Sequence, residues 1–175
     1  VTNIARRIGI YVLLACVGGA VTGTAGQRVA AAAPTAGPQE VEVLGVLIDD
    51  RTGQPAVVLQ GRRDRRHLSM VIGLAEATGI AVALQGVTPP RPLTHDLFLT
   101  LFGRLNVTVK RVVIVDLRDD IYYATVQLSG ASGDMTLDSR PSDAIALALR
   151  AKVPVLVEDR VFDKGGALTG PRLRT

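Results

Sequence analysis

The feature that most constrains this chain is an internal repeat. Shifted by 65 residues, "MVIGLAEATGIAVALQ" (70–85) lies on "MTLDSRPSDAIALALR" (135–150), with Met70 matching Met135, Ile80 matching Ile145, Ala81 matching Ala146, Ala83 matching Ala148 and Leu84 matching Leu149. Upstream, a shift of 67 sets "GVLIDDR" (45–51) on "VVIVDLR" (112–118), and the change of shift falls in a turn. Self-similarity on this scale dictates one supersecondary unit built twice. Hydropathy patterning says what the unit is. Strands are expected at 41–48, 56–60 and 67–72 and a helix at 74–84; the second copy gives strands at 111–117, 122–128 and 135–138 and a helix at 141–150. Pro141 suits a first helical turn. A helix at 94–105 lies between the copies and a strand at 153–158 follows them. The fold class is α+β: a duplicated three-strand-plus-helix unit forming a mixed β-sheet core with packed helices.

Length and composition agree with one such domain, since 175 residues at 47% hydrophobic content can bury a real core. The formal charge of +4 is local rather than global. It is concentrated in Arg62-Arg63-Asp64-Arg65-Arg66, between the second and third strands. Aromatic residues make up 3% with no tryptophan, which counts against a base-stacking platform for single strands. The one cysteine, Cys16, excludes an internal disulfide and a cysteine-based zinc site.

Residues 1–39 differ from the rest. Arg6 and Arg7 precede an apolar run from Ile8 to about Ala25, and an Ala/Pro linker follows, as in a signal peptide or N-terminal membrane anchor. Leu13-Leu14-Ala15-Cys16 is similar to a bacterial lipobox, which makes Cys16 a lipidation candidate. Three fates stay open: cleavage and export, lipidation, or a retained anchor on the periplasmic side of a bacterial membrane. A wrongly assigned start would instead leave a cytoplasmic protein. The organisation is therefore 1–39 leader or anchor, 40–164 folded domain, and 165–175 loose tail.

Four stretches, "IGLAEATGIAVALQG", "PRPLTHDL", "VDLRDDIYYA" and above all "DSRPSDAIALALR", resemble the bifunctional nuclease family over about 41–163. The strand 68–73, "LSMVIG", departs from the family's usual Leu-Pro-Ile-Trp-Ile-Gly type, and the arginine turn stands where the family has a variable charged hairpin. The resemblance implies a DNase and RNase. Hydrolysis of phosphodiester bonds with little sequence preference, assisted by a divalent metal, Mg²⁺ or Mn²⁺, is the expected activity, and a homo-oligomer stays open.

Such chemistry needs an activated water and a counter-charge for the phosphate. His95 is the proton-transfer candidate, because histidine titrates near neutrality. Asp96, Asp138, Asp143 and Glu76 are the candidate acids, with Asp138 and Asp143 as candidate metal ligands. Arg91 and Arg140, each in an Arg-Pro pair at a helix start, are candidate phosphate contacts together with Ser142. Arg65 and Arg66 of the arginine turn are further ones.

Each has a plainer reading. Thr94 or Ser139 can cap a helix, Asp96 or Asp143 can complement a helix dipole, and Arg140 can pair with Asp138 or Asp143. The arginine turn can be a solvated hairpin. No HExxH, cysteine cluster or Asp-x-Asp run marks a metal site. The alternative function is a non-enzymatic dimeric module binding a small anionic ligand or a protein partner.

Overall fold

The structure, a computed structural model, describes residues 37–49 and 52–165. Cys16, the leader reading and the tail beyond Gly165 lie outside the described residues. Eleven elements run along the described chain: β1 (Gln39–Ile48), β2 (Pro55–Gly61), β3 (His67–Val71), α1 (Leu74–Leu84), α2 (Thr94–Arg104), β4 (Thr108–Arg118), β5 (Ile121–Gly130), β6 (Gly133–Ser139), α3 (Pro141–Ala151), β7 (Val155–Val157) and α4 (Asp159–Gly165). Thus β1-β2-β3-α1 recurs as β4-β5-β6-α3, the order the repeat implies.

All strands join one mixed sheet in the order β3-β2-β1-β7-β4-β5-β6. Each half is an antiparallel meander. The short β7 is the seam, antiparallel to β1 and parallel to β4. Its Val155 and Val157 are buried, and among the described residues this three-residue strand is what pairs the two halves.

The repeat is visible in packing. Ile80 of α1 and Ile145 of α3, matched by the 65-residue shift, are both 0% exposed. Burial of each such side chain is worth about 1.5–3 kcal/mol. Small residues let α3 sink furthest: Ala144, Ala146 and Ala148 are all buried. The halves part company at the third strand. Met70 in β3 is 2% exposed, whereas its counterpart Met135 in the edge strand β6 is 39% exposed.

Helix α4 closes the folded domain without having been read from the sequence; Val161 and Phe162 are buried there, and seven residues are too few to show a helical period. One expectation needs correcting. Neither Thr94 nor Ser139 caps a helix. The N-caps are Leu93 and Arg140, without side-chain caps, and Ser139 Oγ instead donates to the Arg140 carbonyl at 3.0 Å.

Candidate active site

Helix α3 supplies the centre of the site. Pro141 lacks an N–H that the first turn would leave unpaired anyway, and it holds the helical φ from the first residue. Arg140 and Asp143 therefore stand one turn apart on the same face. The guanidinium of Arg140 grips Asp143 through two bonds, Nε to Oδ2 at 2.7 Å and Nη2 to Oδ1 at 3.1 Å. Its Nη1 reaches Glu76 Oε1 of α1 at 2.9 Å. The Glu76 carboxylate folds back over Gly73, into the space a side chain there would fill.

From α2, His95 completes the chain, with Nε2 3.3 Å from Asp143 Oδ1. The rest of the ring leans on Gly79 of α1, where a Cβ would stand 3.3 Å from His95 Cε1 and 3.5 Å from Nδ1. Glu76, Arg140, Asp143 and His95 thus form one hydrogen-bonded series across three helices. Burial pushes the Asp143 carboxyl up, but hydrogen bonds and charge from Arg140, and then from His95, outweigh it and hold the group below the usual carboxylate range. The Asp143 hydrogen bond, with Glu76 adding to it, raises Arg140 further above its already high value.

Three clefts meet here, and Arg140 lines all of them. One of about 410 Å³ lies between α1 and α2, bounded by Glu76, Gly79, His95 and Asp143. A second, of about 560 Å³, runs from His95, Asp138 and Asp143 to Phe98, Phe102 and Leu137. The third, of about 310 Å³, has Glu76 and Tyr122 on its walls and the buried Ser142 beside Arg140.

Not every residue singled out in the sequence joins this group. Asp96 faces away from it, accepting the Leu93 N–H at 2.8 Å and Arg150 Nε at 2.8 Å. Arg91 is exposed in the loop before α2 and lines none of the three clefts. Arg65 sits exposed at the arginine turn with φ 62°. Arg66 binds Asp64, Asp159 and Asp163, and Arg63 joins it on Asp159. Asp159 is 7% exposed, so this turn clasps α4 through a buried carboxylate.

The residues as arranged do not fit a ready-made metal site. Among the described residues no group of three or more His, Cys, Asp and Glu side chains is placed to hold an ion. The Arg140 guanidinium bridges Glu76 and Asp143 instead.

Sequence reasoning passed over Arg150, Gly79, Phe98 and Phe102. Arg150 carried a signal, as the one charge near the end of an otherwise apolar helix face. Gly79 carried none, because its role depends on a ring brought in from another helix.

Comparison with known proteins identifies the family. A family model described as the bifunctional nuclease domain matches residues 57–169. An uncharacterized protein of Mycobacterium tuberculosis is 40% identical over 129 residues, covering 74% of this chain and 77% of its own length. Bifunctional nuclease 1 of Oryza sativa subsp. indica is 30% identical over 122 residues, 67% of this chain and 37% of that protein. Bifunctional nuclease 1 of Arabidopsis thaliana is 29% identical over 115 residues, 63% of this chain and 35% of that protein. The chain therefore spans little more than a third of these plant relatives.

Proposed function

Because the chain belongs to the bifunctional nuclease domain family, we propose that it is a nuclease that cleaves DNA and RNA with little sequence preference at the Arg140, Asp143 and His95 group. The observation that carries this reading is the hydrogen-bonded series itself: an acid–histidine pair and an arginine, delivered by different helices to the walls of open clefts.

Each member has a task in this proposal. Arg140 exchanges Glu76 for a phosphate oxygen, and its planar fork suits that geometry. His95, oriented by Asp143, takes a proton from the attacking water as the new O–P bond forms. It returns that proton to the departing sugar oxygen as the ester P–O bond breaks, so charge and protons balance. Asp138 lines the wider cleft and would face the strand. Asp96 holds the fold, Arg63 and Arg66 form the α4 clasp, and Arg65 stays exposed at the turn. No step is routed through Mg²⁺ or Mn²⁺, and their requirement is a question for the assay. The leader reading of 1–39 would place this activity at or beyond a membrane; it rests on the sequence, and no helix among the described residues is long and apolar enough to cross one.

The alternative, a dimeric binding module, draws support from α2, which has no buried residue and exposes Leu97, Leu101 and Leu105. One experiment separates the two. The full chain is incubated with labelled single- and double-stranded DNA and RNA in Mg²⁺, Mn²⁺ or EDTA, beside His95→Ala and Asp143→Ala. Cleavage lost in both variants, with circular dichroism unchanged, supports the nuclease. Cleavage equal in all three proteins overturns the site, and no cleavage under any condition favours the module.

A further inference from the structure

The cleft of about 560 Å³ between α2 and β6 has two chemically distinct ends. His95, Arg140 and Asp143 form one. Phe98, Phe102, Leu137 and Leu147 form the other, and Phe98 and Leu137 remain 48% and 43% exposed. Two of the chain's three phenylalanines are therefore spent on one opening. They stand 6.2 Å apart at 51°, a tilted contact that leaves Phe98 48% exposed, with ring surface open to another aromatic.

The repeat shows that this apolar end is not a by-product of the architecture. In the first half, α4 lies against β3, and a Cβ at Gly165 would collide with Leu68. Met70 is buried there. In the second half, the equivalent strand β6 leaves Met135 and Leu137 open. A cleft of this size is within the range of small-molecule sites.

We propose that this cleft is a nucleobase subsite: an unpaired nucleotide places its base against Phe98 and Leu137 while its phosphate lies at Arg140. The inference rests on the nuclease reading only for the phosphate contact. A base inside a duplex has both faces covered and its edge paired, so it enters such a cleft only when unstacked. One aromatic ring suffices for this, which is why a low aromatic content excludes an extended platform but not a single stacking position. The substrate class is then single-stranded DNA or RNA, or an unpaired position in a duplex.

The test measures anisotropy of a fluorescein-labelled single-stranded oligonucleotide and of its blunt duplex on the full chain in Mg²⁺ buffer, with probe integrity checked on a gel. Wild type, Phe98→Ala and Phe98→Trp are compared. The single strand is expected to bind more tightly than the duplex, Phe98→Ala to weaken it roughly 5- to 100-fold, and Phe98→Trp to restore it. Equal affinity for both probes, or a Phe98→Ala protein that binds the single strand like wild type, overturns the subsite. So does a change confined to sedimentation, which would make the ring part of an interface between two copies. Failure of the nuclease reading looks different: Phe98-dependent binding without cleavage leaves the subsite standing, and cleavage lost in Asp143→Ala with Phe98-independent binding removes the subsite alone.

Discussion

Asp96 Oδ1 receives Nε of Arg150 at 2.8 Å, fastening the start of α2 to the end of α3. The Arg150 side chain is 8% and the Asp96 side chain 32% exposed, so the arginine end of this tie is sheltered from water, and the second Asp96 oxygen accepts the Leu93 N–H. Its neighbour His95 turns instead to Asp143. Two adjacent residues thus divide the work of anchoring α2 and equipping the cleft.

That division gives opposite expectations for two isosteric changes. Asp96→Asn weakens the bond to the Leu93 N–H and a half-buried ion pair, a loss of about 1–2 kcal/mol in urea unfolding, while the folded protein keeps most of its cleavage rate. Asp143→Asn leaves His95 without its charged partner, and the rate should fall roughly 10²- to 10⁴-fold. Similar rates for the two variants would contradict the assignment.

Glu76 offers a finer discrimination. It holds Nη1 of Arg140, the group assigned to the phosphate. Glu76→Gln removes the competing charge, so the KM for an oligonucleotide should drop with kcat little changed. Steady-state kinetics reads this directly; a kcat collapse would move Glu76 into the chemistry.

The pH dependence of stability follows from Asp143. Burial raises its carboxyl, but the Arg140 and His95 contacts win, leaving the folded value below the ordinary value of about 3.9. A depressed carboxylate stabilises the fold above its unfolded value, and that contribution disappears as pH falls through the folded value. Thermal melts of wild type below about pH 4 should therefore lose Tm more steeply than those of Asp143→Asn. Some slope must survive in the variant, because Asp64 and Asp116 are depressed too: Asp64 through Arg66 and Gln39, which overcome its burial, and Asp116 chiefly through Lys164.

The arginine turn should behave as structure rather than as a nucleic-acid contact. Arg63 Nη2 and Arg66 Nη2 reach the buried Asp159 at 2.6 and 2.7 Å. Removing both arginines leaves that carboxylate with only the long Gln39 bond of those described, a cost of about 1–3 kcal/mol. The salt dependence of oligonucleotide binding should not change, because neither arginine is expected to touch phosphate.

What the sequence made legible, and what it hid, follows the range of the interactions. Ile80 and Ile145 were readable because burial of a helix face leaves a local period, and the repeat doubled the signal. The His95, Arg140 and Asp143 candidates were readable as residue types beside helix starts. The short-range pair of Arg140 with Asp143 was readable too, but the partner of His95 was not: across the separation of 48 positions from His95 to Asp143 no pattern brings the two together. The same limit hid the partner of Arg66, since Asp159 lies 93 positions away. Helix α4 escaped for a different reason, being stabilised by Val161, Phe162 and the arginine clasp rather than by a periodic face of its own.

Gly79 separates stability from function most cleanly. In the interior of α1 a glycine costs about 1 kcal/mol relative to alanine, so Gly79→Ala should favour the helix. The added Cβ would stand 3.3 Å from His95 Cε1, tighter than ordinary van der Waals contact, and the ring must give way by a few tenths of an ångström. His95 is already at 3.3 Å from Asp143, so any retreat from α1 disturbs a bond with little to spare. The variant should therefore melt no lower than wild type while cleaving more slowly. Its Asp143→Asn combination should add little further loss, because both changes act on the same histidine. Full activity in Gly79→Ala would mean that the position of this ring does not limit the reaction.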